Sequence, residues 1–133
     1  MTADPTETLR ALMPFAATLG IELLRYEPEE VRARLAWAPE LCTSGGAMHG
    51  GAVMALADSA GGACAYLNLP AGAQGTTTVE SKTNFLRAAR EGYIEATSRP
   101  LHKGRTLIVV ETEIADARGR LVAKVTQTQL VLA

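Results

Sequence analysis

Asp58 is the residue of this sequence best suited to acid–base chemistry. It is the only charged side chain in the apolar stretch Gly50 to Leu69, GGAVMALADSAGGACAYLNL. A carboxylate with such neighbours is expected to be desolvated, which is one way in which a general base is poised. The alternative is structural: Asp58 caps the second half of a broken helix, with Ser59 to Gly61 as its first turn.

A second chemical feature opens the same stretch, where His49 is followed by Gly50 and Gly51. The first turn of a helix has amide N–H groups without internal acceptors, at the positive end of the helix dipole. Glycines at that point let a ligand carbonyl approach the backbone without a Cβ in the way. These residues indicate an oxyanion-binding site at the amide of Gly50, although they also suit a tight entry turn with no further role.

The spacing of these two features predicts that they act across two chains. Gly50 and Asp58 are eight residues apart, which is about 12 Å along a helix axis. A general base and an oxyanion donor must each lie within about 3 Å of groups on one reacting carbonyl. A single helix does not meet both conditions, whereas two antiparallel helices across a twofold axis do. We therefore expect a homodimer as the minimum unit.

The stretch that holds both features predicts a long buried helix over residues 49–66. Its length would suit a membrane span, but it is built largely of Ala and Gly, and Asp58 at a bilayer centre costs on the order of a few kcal/mol. We therefore expect no membrane partner. Small residues permit the close approach of another backbone: Gly50, Gly51, Ala55, Ala57, Gly61 and Gly62. Gly61 and Gly62 each cost roughly 1 kcal/mol of helix stability relative to alanine.

Around this helix the sequence predicts a short N-terminal helix and six strands. Apolar spacing places the short helix within residues 5–17, where Pro14 limits its length. Alternating patterns place strands at residues 21–26, 31–37, 76–85, 93–99, 105–116 and 120–132, and the PLHKG segment, residues 100–104, is expected to be a turn. The order ββαββββ indicates an α+β fold, with an antiparallel sheet wrapped around one long central helix.

The faces of this sheet bear on both assembly and chemistry. In the third strand, alternation puts Thr77, Val79, Ser81, Thr83 and Phe85 on one face, and Thr78, Glu80, Lys82 and Asn84 on the other. Six strands do not cover an apolar helix on every side, and the edges of the sheet need a partner. We therefore expect the homodimer to join its sheets edge to edge and its helices side by side.

Composition excludes several classes of function. The 133 residues include 13 Lys+Arg and 14 Asp+Glu, scattered without a basic patch, so no nucleic-acid partner is expected. The length and the 47% hydrophobic content fit one globular domain over residues 1–133. The N-terminal residues lack the pattern of a secretory signal, which favours a cytoplasmic location.

Cys42 and Cys64 do not combine with His49 or His102 at the sequence spacing that metal ligands usually have, so we expect no metal site.

Four segments carry a resemblance to a known family: MHGGAVMALADSAGGACA, TTTVESKTNFLRAAREG, SRPLHKGRTLIVVETEI and GRLVAKVTQT. They resemble the hotdog-fold thioesterases of the phenylacetate-degradation (PaaI-like) subgroup, over nearly all of the chain from about Ile21 to Leu132. The resemblance implies a hotdog fold and hydrolysis of acyl-CoA thioesters to free acid and coenzyme A. It implies no metal or redox cofactor, coenzyme A being part of the substrate, and a homotetramer built as a dimer of dimers.

The resemblance also implies roles for individual residues. The Gly50 N–H would bind the thioester oxygen, His49 would orient the carbonyl or the leaving sulfur, and Asp58 of the opposite protomer would be the general base or the nucleophile. Thr78 matches a Ser/Thr that helps to place the water, with an ordinary strand threonine as an equal alternative. Thr43 stands where many members have an asparagine, and its single hydroxyl offers fewer hydrogen bonds, so a plain loop threonine is slightly favoured there.

Binding of coenzyme A phosphates requires basic side chains near the mouth of the site. The candidates are Arg87 and Arg90 in one turn and Lys103 and Arg105 in another, and the resemblance points more to the second turn. Each is also consistent with an ordinary solvated surface cation. Two other functions stay open: a module that binds acyl-CoA without hydrolysing it, and a hotdog dehydratase acting on hydroxyacyl thioesters.

Overall fold

The computed structural model describes residues 4–133, in which six strands and one long helix follow the predicted ββαββββ order. The elements are α1 (Pro5–Leu12), α2 (Pro14–Leu19), β1 (Glu22–Glu27), β2 (Glu30–Ala36), α3 (Gly50–Leu67), β3 (Gly75–Phe85), β4 (Tyr93–Lys103), β5 (Leu107–Asp116) and β6 (Leu121–Leu132). The sheet has the order β1-β2-β4-β5-β6-β3, and all neighbouring strands are antiparallel. The predicted α+β fold class is confirmed.

The core lies between the sheet and α3. Alternate residues of the central strands are fully buried, among them Val31, Leu35, Ile94, Ala96, Ile108, Val110, Ile114 and Val125. They pack against the inner face of α3, which buries Val53, Leu56, Ala57, Ala60 and Cys64. Full burial of a Val, Leu or Ile side chain contributes roughly 1.5–3 kcal/mol, so this layer holds the helix in place on the sheet.

The ends of α3 are fixed by side chains of its flanking residues. His49 is the N-cap, and its Nδ1 accepts a hydrogen bond from the Gly51 N–H over 2.8 Å. At the other end, the Asn68 amide donates to the carbonyl oxygens of Cys64 and Pro28, each over 2.8 Å. These bonds satisfy backbone groups that a helix terminus leaves open, so the helix has defined limits.

One side of α3 is not covered by the sheet. Met54, Asp58 and Tyr66 are exposed there, and spacings of four and eight residues keep them on one side of the helix. We refer to these three residues as the uncovered face of α3. Six strands therefore cover only part of the helix, as expected from the sequence.

The N-terminal helix differs from the prediction. Two short helices replace the single one expected within residues 5–17, because Met13 has a non-helical backbone and Pro14 begins α2. Proline has no N–H to donate to a preceding turn but suits the first position of a helix. Residues of both short helices, among them Leu12 and Phe15, line a cleft together with Asp58 of α3.

The PLHKG segment is not the predicted turn. Strand β4 continues through it to Lys103, with a bulge between Pro100 and His102. Beyond Ser98 this strand pairs with β5 but no longer with β2. Proline is tolerated where one edge of a strand is open, since its missing N–H then leaves no ladder bond unmade.

A bulge in β3 also overturns the predicted faces of that strand. Thr78 pairs with Gln129, but Glu80 pairs with Thr128, so Val79 is an extra residue without a partner. An extra residue reverses the alternation beyond it. As a result, Thr78 shares the inner face of the sheet with Ser81, Thr83 and Phe85, contrary to the expected separation.

Within residues 4–133, none of the helices has the length and apolar character needed to cross a membrane.

Candidate active site

Asp58 lies in the middle of α3, which runs without a break from Gly50 to Leu67. The alternative in which Asp58 caps a second helix is therefore wrong. Its side chain is exposed, because it belongs to the uncovered face of α3. The predicted desolvation is thus not produced by the chain's own fold, and it requires another molecule on that face.

The Asp58 carboxylate is held by hydrogen bonds from two strands. Its Oδ1 accepts from the Thr78 hydroxyl of β3 and from the Gln127 Nε2 of β6, each over 3.1 Å. The Gln129 Nε2 donates in turn to the Thr78 Oγ1 over 2.6 Å. The structure therefore joins Asp58 and Thr78, both singled out from the sequence, to two glutamines that were not.

A signal for these glutamines is present in the sequence of β6. Ala123, Val125, Gln127 and Gln129 alternate along the strand, and all four are buried against the interior. Amides at the inward positions of an otherwise apolar strand need hydrogen-bond partners, since burial of an unpaired amide is costly. That pattern could have pointed to a polar group facing β6 from within the molecule.

An apolar cleft of about 520 Å³ opens beside Asp58. Asp58, Thr78 and Gln129 lie on one side of it. Its remaining walls are mainly apolar or aromatic and include Leu9, Leu12, Met13, Phe15, Tyr26 and Tyr66. A cleft that is largely apolar with a few convergent polar groups is typical of a small-molecule site.

The N-terminus of α3 has a free backbone donor. The Gly51 N–H is used by the His49 cap, but the Gly50 N–H has no hydrogen-bond acceptor within residues 4–133. Because the His49 Nδ1 accepts a hydrogen bond, the proton of the neutral ring is on Nε2. The residues His49 and Gly50 thus offer an N–H from the ring and one from the backbone near the same helix end.

A second cleft, of about 410 Å³, is lined by Gly50 together with Met48, Phe85, Leu86 and Arg87. The Phe85 ring packs against Gly50, where an added Cβ would lie 3.2 Å from the ring. Asp58 does not line this cleft, and Gly50 does not line the cleft of Asp58. Within one chain, the two groups therefore belong to separate clefts.

Thr43 is not brought to either cleft. It precedes the short 3₁₀ helix Ser44–Gly46, its side chain is exposed, and its N–H donates to the Ala47 carbonyl over 2.8 Å. It does not line the cleft of Asp58 or that of Gly50. The geometry of the single chain gives it a loop position.

The four candidate phosphate ligands are exposed, and none forms an ion pair within residues 4–133. Arg87 lines the cleft of Gly50 and, with Arg90, an adjoining cleft of about 460 Å³. Lys103 is the last residue of β4 and lines neither of these two clefts. Burial raises the pKa of the Cys64 thiol to about 11, and the charge of Lys103 opposes that rise.

No cluster of three or more His, Cys, Asp or Glu side chains suited to a metal ion occurs in the described part of the chain.

A family model and several known proteins resemble this chain. The model described as the thioesterase superfamily matches residues 45–123, more than half of the chain. The 1,4-dihydroxy-2-naphthoyl-CoA hydrolase of Escherichia coli is 38% identical over 87 residues, which cover 65% of this chain and 63% of that protein.

Solved structures agree with this match. A mutant thioesterase from Pseudomonas aeruginosa is 28% identical, with a TM-score of 0.89 over 99% of this chain and 96% of the other. A hypothetical thioesterase protein with coenzyme A, from Streptococcus pneumoniae, is 25% identical, with a TM-score of 0.77 over 85% of this chain and 86% of the other. The chain therefore has the hotdog fold and belongs to the thioesterase superfamily.

Proposed function

We propose that this chain hydrolyses acyl-CoA thioesters to the free acid and coenzyme A. The observation that carries the proposal is the setting of Asp58, whose Oδ1 accepts hydrogen bonds from Thr78 and Gln127 beside an apolar cleft of about 520 Å³. A carboxylate held at the edge of such a cleft suits general-base or nucleophilic attack on an acyl group. The name of the E. coli relative and the coenzyme A in the S. pneumoniae structure support a CoA thioester as substrate.

The proposed site combines two protomers. The free N–H of Gly50 and the carboxylate of Asp58 lie in different clefts of one chain, about 12 Å apart along α3. The uncovered face of α3 and the exposed edge strand β3 are the surfaces that a second copy would cover. Antiparallel packing of two α3 helices brings Gly50 of one protomer to Asp58 of the other, and it supplies the desolvation that one chain lacks.

In the reaction, the Gly50 N–H donates to the thioester oxygen and stabilises the negative charge that develops there. Asp58 of the other protomer takes a proton from water, the hydroxide attacks the carbonyl carbon, and the tetrahedral intermediate expels the coenzyme A thiolate, which takes up the proton from Asp58. If Asp58 is the nucleophile instead, its attack on the carbonyl carbon displaces the coenzyme A thiolate and forms an acyl anhydride, which water then hydrolyses to the free acid and the Asp58 carboxylate. His49 orients the carbonyl or the leaving sulfur, and Thr78 helps to place the water.

The finer features stay predictions: the PaaI-like subgroup, the dimer of dimers, the cytoplasmic location, and the absence of any cofactor besides the coenzyme A of the substrate. Arg87 and Arg90 are the phosphate ligands that the Gly50 cleft favours, since Arg87 lines it. Lys103 and Arg105 remain candidates through the other protomer.

One observation favours a second function, a module that binds acyl-CoA without hydrolysing it. Thr43 is exposed and lines neither the Asp58 cleft nor the Gly50 cleft. Within one chain, Thr43 is therefore not placed to take the role of the asparagine that many members of the resembled subgroup have at this position. If hydrolysis requires the asparagine side chain at this position, a chain with Thr43 would bind the acyl-CoA and leave the thioester intact.

A panel of acyl-CoA and aryl-CoA thioesters, assayed by release of thiol, tests the proposal. Asp58→Asn keeps the shape of the side chain and removes the base, so hydrolysis should fall about 100-fold or more. Glu113→Gln, which removes an exposed carboxylate from β5, is the matched control and should leave the rate unchanged. Full activity of Asp58→Asn, or binding without thiol release across the panel, would exclude the proposed hydrolase mechanism.

A further inference from the structure

Two hydrogen-bond donors meet at one oxygen of the Asp58 carboxylate. The Thr78 hydroxyl and the Gln127 Nε2 both donate to Oδ1, each over 3.1 Å. Within residues 4–133, no group donates to Oδ2. The two oxygens of this carboxylate are therefore inequivalent: the protein holds one of them, and the other is available to the cleft that Asp58 lines.

A third side chain, Gln129, sets the direction of the bond from Thr78. The Gln129 Nε2 donates to the Thr78 Oγ1 over 2.6 Å. A hydroxyl has a single hydrogen, and since Gln129 approaches Oγ1 as a donor, that hydrogen remains for Asp58. Gln129 therefore makes Thr78 a fixed donor to the carboxylate rather than a group that rotates between partners.

Both glutamines belong to the interior of the molecule. Gln127 is 0% exposed and Gln129 is 1% exposed. The Oε1 atom of Gln127 is buried and has no hydrogen-bond partner in the described residues. A buried amide with an unsatisfied oxygen is a poor choice for stability at a position where an aliphatic side chain would fill the core. The amide is better explained by what its Nε2 does for Asp58.

We propose that Gln127 and Gln129 are positioning residues for Asp58, and that Oδ2 is the oxygen that takes the proton from water or attacks the acyl carbon. The inference rests on the proposed function, in which Asp58 is the acting carboxylate. Gln127 acts on Asp58 directly, whereas Gln129 acts through the Thr78 hydroxyl. Together they restrict rotation of the carboxylate, so that Oδ2 keeps one orientation before the substrate arrives.

A double-mutant cycle between residues 78 and 129 tests the inference. Thr78→Val and Gln129→Leu are each expected to lower kcat about 10-fold, with KM changed by less than about twofold. Because Gln129 acts only through the Thr78 hydroxyl, the double variant should be no slower than Thr78→Val alone. In Thr78→Ser, which retains the hydroxyl, Gln129→Leu should again lower kcat about 10-fold.

A merely structural role gives a different result. Effects that multiply to about 100-fold in the double variant would overturn the inference, because Gln129 would then act independently of Thr78. An unchanged kcat in Gln127→Leu would overturn it for that residue. Thermal unfolding of every variant is measured in parallel, and Gln129→Met, unbranched and of similar length, replaces Gln129→Leu in the cycle if the latter does not fold.

Asp58→Asn in the same assay separates this inference from the proposed function. If Asp58→Asn keeps the wild-type rate, or if no thioester is hydrolysed, both are wrong. If Asp58→Asn is inactive while the effects at residues 78 and 129 multiply, the hydrolase assignment stands and only the positioning role of Gln129 is wrong.

Discussion

Gly61 on α3 and Gln127 on β6 are in direct contact, and the space between them admits only a glycine. A Cβ added to Gly61 would lie 1.7 Å from the Gln127 Oε1 and 2.6 Å from its Cδ. Gln127 is fully buried, so its side chain has no route into solvent that would relieve the overlap. Because Gly61 has no side chain, the Gln127 amide has room for the position from which its Nε2 donates to Asp58.

Gly61→Ala is therefore expected to lower both stability and hydrolysis. Alanine favours a helix over glycine by up to about 1 kcal/mol, but overlap within a packed core costs about 1–3 kcal/mol, so the free energy of unfolding should fall. Displacement of Gln127 should also lower kcat, because Asp58 loses one donor. Urea denaturation and acyl-CoA hydrolysis measure the two effects.

The Gln127→Ala background provides the matched control for this substitution. Once Oε1 and Cδ are absent, Gly61→Ala should no longer destabilise and should instead gain the helix preference of alanine. Hydrolysis should stay low in both variants, since the donor to Asp58 is missing in each. A destabilisation that persists at full size in this background would mean that some other contact requires the glycine.

The long helix and the strand order were predictable because their signals are local. A continuous apolar run makes α3, and alternation with short connections makes the late strands antiparallel. The face of Thr78 was not predictable, because it depends on the bulge at Val79. That bulge is a property of the pairing of β3 with β6, which adjacent residues do not reveal.

The candidate site shows the same division between local and distant signals. Asp58, His49 and Gly50 stand out by residue type and spacing within one segment. Gln127 is 69 residues away from Asp58 along the chain, and only the packing of α3 against the sheet brings the two together. The exposure of Asp58 in one chain also could not be read from its apolar neighbours, because helix packing decides which face is covered.

The role of His49 in capping can be separated from its role in chemistry. His49→Ala removes the Nδ1 that accepts from the Gly51 N–H, and loss of an N-cap costs about 1 kcal/mol. His49→Asn retains a capping oxygen and should keep most of that stability, yet it lacks the imidazole Nε2–H. We expect thermal unfolding of His49→Asn to resemble wild type while hydrolysis falls in both variants. Wild-type hydrolysis in His49→Asn would limit this residue to capping.

Protonation of Asp116 should lower the free energy of unfolding at low pH. Burial opposes ionisation of the Asp116 carboxyl. Its pKa is nevertheless held below the ordinary 3.8, because the carboxylate accepts hydrogen bonds from the Arg120 backbone, the Arg120 side chain and the Arg118 backbone, and because the charge of Arg120 is close to it. A group whose pKa is lower in the folded state stabilises the fold above its unfolded pKa, and that contribution disappears as the pH falls through the folded pKa.

Asp116→Asn tests this dependence. The variant should be less stable than wild type at about pH 6, and the difference should shrink as the pH is lowered through about 4 towards 2. Urea denaturation at a series of pH values measures it. A difference that stays constant over this range would show that the asparagine acts through packing rather than through loss of the ionised carboxylate.

Arg87 should contribute more than Lys103 to recognition of the coenzyme A phosphates within the protomer that supplies Gly50. Arg87 lines the cleft of Gly50, whereas the charge of Lys103 acts on Cys64, which is 14 residues beyond Gly50 in α3 and about 21 Å from it along the helix axis. Arg87→Ala should raise KM for acyl-CoA about 10-fold, since hydrogen bonds to charged groups are among the stronger ones.

Acyl-pantetheine thioesters, which lack the nucleotide, are the control substrates for Arg87. They present the same thioester to Gly50 and Asp58 without the nucleotide phosphates, so Arg87→Ala should leave their kcat/KM unchanged. The KM effect on acyl-CoA should also weaken as salt is added, because the interaction joins a cation to phosphate at an exposed position. If Lys103→Ala raises KM for acyl-CoA more than Arg87→Ala does, the phosphates bind at the C-terminal end of β4, and Lys103 must then reach the substrate from the other protomer.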